Sequence, residues 1–374
     1  MARGRFQEAR DLARRALAGK LSADEAGMWM WIVAEAFEGE GDHEEAAGVF
    51  KSIAAQGLGR ASVEALLRLA RCRLEMWDAP GASRALEDLG SKDLGELSAR
   101  RDELAATAAF VGGRQEEALK LLEALPEKSA TAWHYLGLIA FGGGRFQRSA
   151  ECFTQAIRAS PGDYYNQLYL ASSLLDLGKL EEARSAFEGV LKIAETPEAF
   201  QLFGRLELRE ERFAEAEARF RKALELSPRH AEAQFGLMTA LRRQGKAEEA
   251  RAAAKKFQEL HLAQQEALRR AYILDQQQSA HPDDPEPAEA LALHYLASSD
   301  PSAAERAAWQ AVRLQPDRAG ARLSLARSLA VVGRYREAAV HYRKILRMDP
   351  NHAAAQSELR DLLARHARRA DGSK

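Results

Sequence analysis

The chain is poor in the residues that build sheets. Valine, isoleucine and threonine together number 21 of 374, while Ala, Leu, Glu, Arg and Lys dominate, so strand formers are scarce and helix formers abundant. A sheet-based fold is excluded on that ground. Cysteine is scarcer still. Cys72 and Cys152 stand far apart with no CxxC pair and no Cys/His cluster, so neither a disulfide framework nor a zinc site is expected, and both thiols are expected as buried packing groups. No run of about 18 apolar residues occurs, and the first twenty residues lack the apolar stretch of a secretory signal. Charge of one sign is also missing. The 54 basic and 55 acidic residues leave a net charge of −1, which argues against a protein whose main task is neutralising phosphates. At 46% hydrophobic and 29% charged residues the expectation is a folded, soluble, cytoplasmic protein, too long for one compact core.

What is present is a period. Small residues recur at Ala9, Ala46, Ala82, Ala118, Ser149, Ala183, Ala216, Ala250, Ala304 and Ala338, mostly 31 to 37 residues apart. Four residues later comes a larger apolar side chain (Phe50, Leu86, Leu122, Phe153, Phe187, Phe220, Tyr342). Three further on stands another apolar position in most copies, so all three share one helical face. An earlier stripe, clearest at Trp133, Leu136, Gly137 and Ala140, predicts a preceding helix. Between the two lies Gly41, Gly113, Gly144, Gly178, Gly245 or Gly333, suited to a turn needing positive φ. Pro161, Pro228, Pro316 and Pro350 close several copies. The unit is helix, turn, helix, proline, and neither helix buries its apolar face without a stacked neighbour.

Trp133, Leu136-Gly137, Ala140, Ser149, Phe153, Ala156 and Pro161, with Leu325-Ala326, Leu329, Ala338, Tyr342, Ile345 and Pro350 in the last copy, resemble the tetratricopeptide repeat signature. The resemblance implies an all-α, right-handed α-solenoid of antiparallel helix pairs. Repeats are expected to begin near Gly27, Val63, Ala99, Ala130, Tyr164, Pro197, Ala231, Pro285 and Ala319. Trp77 stands where one copy should have its turn glycine.

Two irregularities shape the expected domains. GRFQEA at the start aligns with Gly144 to Gln147, so residues 1–20 are expected as the second helix of a truncated repeat, and the chain as a segment of a longer protein that could carry a periplasmic or membrane-tethering signal upstream. An array over 21–245 follows. From Lys246 to His281 there is neither glycine nor proline, which predicts an extended or gently broken helix, then a proline-rich acidic connector to residue 284. Residues 285–368 are expected as a repeat pair with a closing helix, and 369–374 as a disordered tail.

Little in the chain points to catalysis. Phe141-Gly142-Gly143-Gly144-Arg145 lacks the spacing of a phosphate loop, and the nine histidines form no HExxH. No cofactor, metal or small-molecule substrate is expected. His281 beside Asp283, Asp284 and Glu286 is expected as a solvated loop. Pairs such as Glu44-Glu45 and Glu181-Glu182 are read as compensating helix N-termini.

The remaining resource is surface. By the resemblance, first helices line a concave groove, which places Trp31, His134, Phe141, Tyr165, Gln201, Arg205, Arg209, Phe235, Arg242 and Arg243 on it. Aromatic and arginine side chains dominate many protein interfaces. The expected partner is a protein, as an acidic and apolar peptide or a multisubunit complex, with an anchor near Phe141 and Tyr165 and its acidic part near the arginines. The competing reading has some of the aromatics packing between adjacent repeats and the arginines pairing with nearby glutamates such as Glu210 and Glu211. The lysines and asparagines with which chaperone co-factors of this family grip a terminal carboxylate are absent, since those positions hold His134, Leu138, Tyr165 and Tyr169, then Leu168, Ser172, Glu198 and Leu202. The chain is thus read as a non-catalytic scaffold, or else as the targeting arm of an enzyme whose catalytic domain lies outside it. RNA binding of the pentatricopeptide kind is disfavoured by the near-neutral charge, and direct membrane insertion by the lack of an apolar span.

Overall fold

Helix formers punctuated by glycine turns and proline stops give helices. The computed structural model describes residues 23–57, 59–90, 94–298 and 300–371, which contain nineteen α-helices, one 3-10 turn at Gly95–Leu97 and no strand. In chain order they are α1 (Ala23–Glu40), α2 (His43–Ala55), α3 (Gly59–Glu75), α4 (Ala79–Glu87), α5 (Ser98–Val111), α6 (Gln115–Ala124), α7 (Ala130–Gly142), α8 (Phe146–Ala159), α9 (Tyr164–Asp176) and α10 (Leu180–Ile193). They continue with α11 (Pro197–Arg209), α12 (Phe213–Leu226), α13 (Ala231–Arg243), α14 (Ala247–Ala280), α15 (Pro285–Ala297), α16 (Pro301–Leu314), α17 (Ala319–Val331), α18 (Tyr335–Met348) and α19 (Ala353–Asp371). The truncated-repeat helix expected over 1–20 lies outside the described residues.

The small residue of each second helix sits where two helices cross. Ala46, Ala82, Ala118, Ser149, Ala183, Ala216, Ala304 and Ala338 have no exposed surface, and the apolar residue four positions on is buried in each of these eight copies. Ser149 keeps its hydroxyl satisfied by donating to the Gly137 carbonyl at 3.2 Å. All six turn glycines take positive φ, between 68° and 84°. Trp77 and Glu211 do the same work at φ 53° and 59°. At Trp77 the cost of a non-glycine residue there is offset by its surroundings: Nε1 donates to Glu305 at 3.2 Å and the Arg306 guanidinium lies 5.3 Å from the ring centre.

Two compact units result, one comprising Met1–Gly112 with Ala267–Lys374 and the other Gly113–Glu266. The boundaries differ from a linear order of array, connector and terminal pair, because the repeats of 285–364 share one apolar core with those of 23–90. Phe37, Phe50 and Leu67 from the first segment and Trp309, Leu325 and Tyr342 from the second belong to that core. In the unit Gly113–Glu266 the apolar interior is organised around Phe187 and Phe203, and around Phe200, Phe220 and Leu237. Helix α14 is unbroken over 34 residues, about 51 Å at 1.5 Å per residue. Its first part belongs to one unit and its last part to the other.

The connector between α14 and α15 covers residues 281–284. Asp284 caps α15 by accepting from the Glu286 N–H at 2.9 Å, so Pro285 and Pro287 lie inside the first helical turn. Buried Gln278, near the end of α14, donates to the carbonyls of His281, Pro282 and Asp284 at 3.2 to 3.3 Å. Gln278→Ala is therefore expected to free three carbonyls and cost about 1–3 kcal/mol, read as faster hydrogen exchange confined to residues 279–288. At the C-terminus α19 runs to Asp371, past the expected end at Arg368.

Candidate protein-binding groove

In the unit Gly113–Glu266, side chains of successive first helices meet. His134 on α7 and Asn166 on α9 share a hydrogen bond of 2.7 Å. Phe141 packs edge-on against Tyr169 of α9 at 5.3 Å and against Phe146 of α8 at 5.6 Å, and Tyr169 in turn stacks on Phe153. Phe141 is thus used between repeats, as the competing reading held. Tyr165, one turn before Tyr169 on α9, is 54% exposed.

The arginines divide likewise. Arg205 and Arg209 on α11 both donate to the same oxygen of Asp176 on α9, at 3.3 and 3.2 Å, and Arg209 also donates to the Leu175 carbonyl. Their partner is Asp176, because Glu210 is taken by Arg184, which also grips both oxygens of buried Glu207 at 2.9 Å. Arg243 on α13 lies 5.9 Å from the ring centre of Phe213. Arg242 is exposed and has no ion pair among the described residues. Gln201 is half-buried on α11.

Phe235 on α13 is 49% exposed and does not stand alone. Phe257 on α14 lies 5.3 Å from it, ring centre to ring centre, and His261, one turn further, stacks on Phe257 at 5.7 Å. Phe257 and His261 were not among the sequence candidates. They sit on a second helix, outside the first-helix positions that the repeat pattern assigns to the groove, and only the i, i+4 spacing of two rings marks them. The α13–α14 hairpin is fixed by Glu217 of α12, which accepts from Lys246 at 2.7 Å, from Gln244 at 2.9 Å and from Arg221. The Lys246 hydrogen bond, ahead of those from Arg221 and Gln244, outweighs burial and holds the Glu217 carboxyl down at about 2.

Trp31 is not part of this assembly. It belongs to the other compact unit, half-buried with its ring edge-on to Phe50 at 5.4 Å. Among the described residues no three His, Cys, Asp or Glu side chains are grouped to hold a metal, and no helix is long and apolar enough to cross a membrane.

The sequence matches the tetratricopeptide repeat family model over residues 1–59, 135–199, 202–267 and 289–353, more than half of the chain. The chain belongs to the tetratricopeptide repeat family. No curated protein matches it. Among solved structures, MamA from Desulfovibrio magneticus RS-1 is 20% identical, with 46% of this chain and 99% of that one covered at a TM-score of 0.42. The C-terminal part of a tetratricopeptide repeat protein from Cytophaga hutchinsonii is 17% identical, covering 69% of this chain and 99% of that one at 0.44. The Cut9–Hcn1 hetero-tetramer of the APC/C is 14% identical, covering 92% and 97% at 0.34. The tetratricopeptide assignment accounts for the helix pairs, the buried small residues and the glycine turns by one repeated unit.

Proposed function

We propose that this protein is a non-catalytic scaffold or adaptor and that the first-helix face of the unit Gly113–Glu266, continued by the start of α14, receives a protein partner. The partner segment is extended or helical, with an apolar anchor seated on Phe235, Phe257 and His261 and a carboxylate directed to Arg242. The observation that carries this reading is the half-exposed Phe235, continued by two further rings, on the same helix as an exposed guanidinium. Seven residues separate Phe235 from Arg242, about 10.5 Å along the helix, a span that one short peptide bridges. Tyr165 supplies a second aromatic contact, while Phe141, Arg205 and Arg209 act by shaping the wall. A groove built on rigid helices lowers the ordering cost of binding.

Selection from a random peptide display library with the full chain as bait tests this. Enriched peptides are expected to combine an aromatic or aliphatic residue with Asp or Glu. Phe235→Ala and Arg242→Glu are each expected to weaken a selected peptide at least tenfold with helix content unchanged. A library that yields no ligand, or ligands whose affinity neither substitution moves, overturns the reading.

A further inference from the structure

In the unit that combines the N-terminal and C-terminal repeats, two surfaces distant in sequence meet through charge. The turn entering α2 is acidic, and it lies in a cationic seat formed by α17 and α18. Lys344 donates to Asp42 at 2.7 Å and to Glu44 at 2.9 Å, and the two terminal nitrogens of Arg322 donate to the two oxygens of Glu44, each at 3.0 Å. His43 faces Glu337 at 3.4 Å. One repeat further the arrangement recurs: Arg313 donates to the Met76 carbonyl at 2.8 Å, and Arg334 joins Glu75 at 3.1 Å. Asp42, Arg322 and Lys344 are all buried, although charged side chains are seldom buried unless paired.

Three features separate this seam from the stacking of consecutive repeats. It joins residues up to 302 positions apart. The two segments also share an apolar core, and buried ion pairs roughly break even against the cost of desolvating them, so the acidic turn adds little to the closure that the core provides. Buried polar atoms on both of the joined segments also go unsatisfied. His43 Nδ1 and Trp309 Nε1 are buried with no hydrogen-bond partner among the described residues, and Trp309 lies edge-on to His341, 5.1 Å away, beneath the seat.

We propose that α17 and α18 carry a docking site for an acidic, helix-leading turn, and that the chain's own Gly41–Glu45 segment occupies it reversibly. The turn is a latch: Asp42 and Glu44 supply two carboxylates at i and i+2, and Arg322 and Lys344 receive them. Release uncovers the seat and the Trp309–His341 surface below it.

Electron–electron resonance distances between spin labels on Ser52→Cys and Arg347→Cys in the full chain test the latch. Both positions are exposed, while Cys72 and Cys152 are buried and burial raises both thiol pKa values, which leaves them unreactive. Lys344→Glu is expected to enlarge a longer-distance population at least tenfold with helix content unchanged. Adding Asp42→Lys to Lys344→Glu is expected to restore at least half of the short-distance population. An unmoved distance in Lys344→Glu would show that these pairs do not hold the seam. Loss of helix content together with the short distance, not rescued by Asp42→Lys, would show a fixed core instead of a latch. Either result overturns the proposal, and neither bears on the groove of the other unit.

Discussion

Phe220→Ala is expected to destabilise the unit Gly113–Glu266 by about 3–5 kcal/mol, the range for emptying a fully buried aromatic site. The ring has no exposed surface and lies between two glycines on different helices. A Cβ built on Gly204 of α11 would come within 2.7 Å of the ring, and one on Gly236 of α13 within 2.3 Å. The second helix of one repeat thus inserts its phenylalanine where its own first helix and the next first helix both lack a side chain. Collapse cannot fill the hole, because the neighbouring atoms are backbone held by helical hydrogen bonds. Gly236→Ala attacks the same contact from the other side and is expected to cost about 1–3 kcal/mol by overpacking. Leu262→Ala, at a 53% exposed position of α14, is expected to stay within about 0.5 kcal/mol. Urea midpoints from hydrogen exchange of α11 to α13 peptides would order the three. Equal effects for Phe220→Ala and Leu262→Ala would show that the ring does not join the repeats.

Phe220 was legible in the chain as one member of a spacing, because a helix pair repeated along a sequence writes its buried face as a period, but Gly204 and Gly236, which receive its ring, were not singled out. The turn glycines were legible for the same reason, and so was the uninterrupted run that became α14. Trp77 shows the limit of that argument. Its left-handed turn survives without glycine because Glu305 and Arg306, some 230 positions away, hold the indole, and no local pattern reports such a contact. Arg205 and Arg209 show the same limit. Their number and placement were visible, but the choice of Asp176 over Glu210 depends on Arg184 having taken Glu210 and Glu207. Glu44 was read as one of several acidic pairs compensating a helix N-terminus, and it also meets two cations from the far end of the chain. Periodicity reveals which faces are buried against neighbours in sequence. It carries no record of which surface lies against a distant repeat, and that is where the seam and the division into two units arise.

Acidification is expected to weaken the unit containing the seam in two stages. His341 is buried and faces Lys344 on its own helix, Arg322 on α17, Glu44 and His43 on α2 and the Trp309 ring on α16. Burial first, and then the cations of Lys344 and Arg322, hold it neutral well below its ordinary 6.5. In the unfolded chain the same imidazole takes a proton near that value. The unfolded state therefore binds more protons as pH falls below about 6.5, and stability drops with it. Glu44 governs the second stage. Burial alone would raise its carboxyl, but the hydrogen bonds and charges of Arg322 and Lys344 outweigh burial and hold it at about 2 instead of 4.5. A carboxyl lowered this far contributes on the order of 3 kcal/mol at neutral pH, lost as pH falls from 4.5 towards 2. Glu337, lowered by His43 and Arg334 against the opposing effect of burial, adds to that stage. Glu305, raised by burial, opposes it, since its contribution is present at low pH and lost as pH rises. In a chain carrying Trp133→Phe the remaining tryptophans, 29, 31, 77 and 309, all belong to this unit, so their fluorescence in urea isolates its midpoint. His341→Gln is expected to flatten the midpoint between pH 7 and 5 while leaving the lower stage intact. Glu44→Gln is expected to lower the midpoint at pH 7 and to flatten the stage below 4.5. A parent chain whose midpoint does not move between pH 7 and 5, or a Glu44→Gln chain as stable as the parent at pH 7, would show that these two groups do not govern the closed seam.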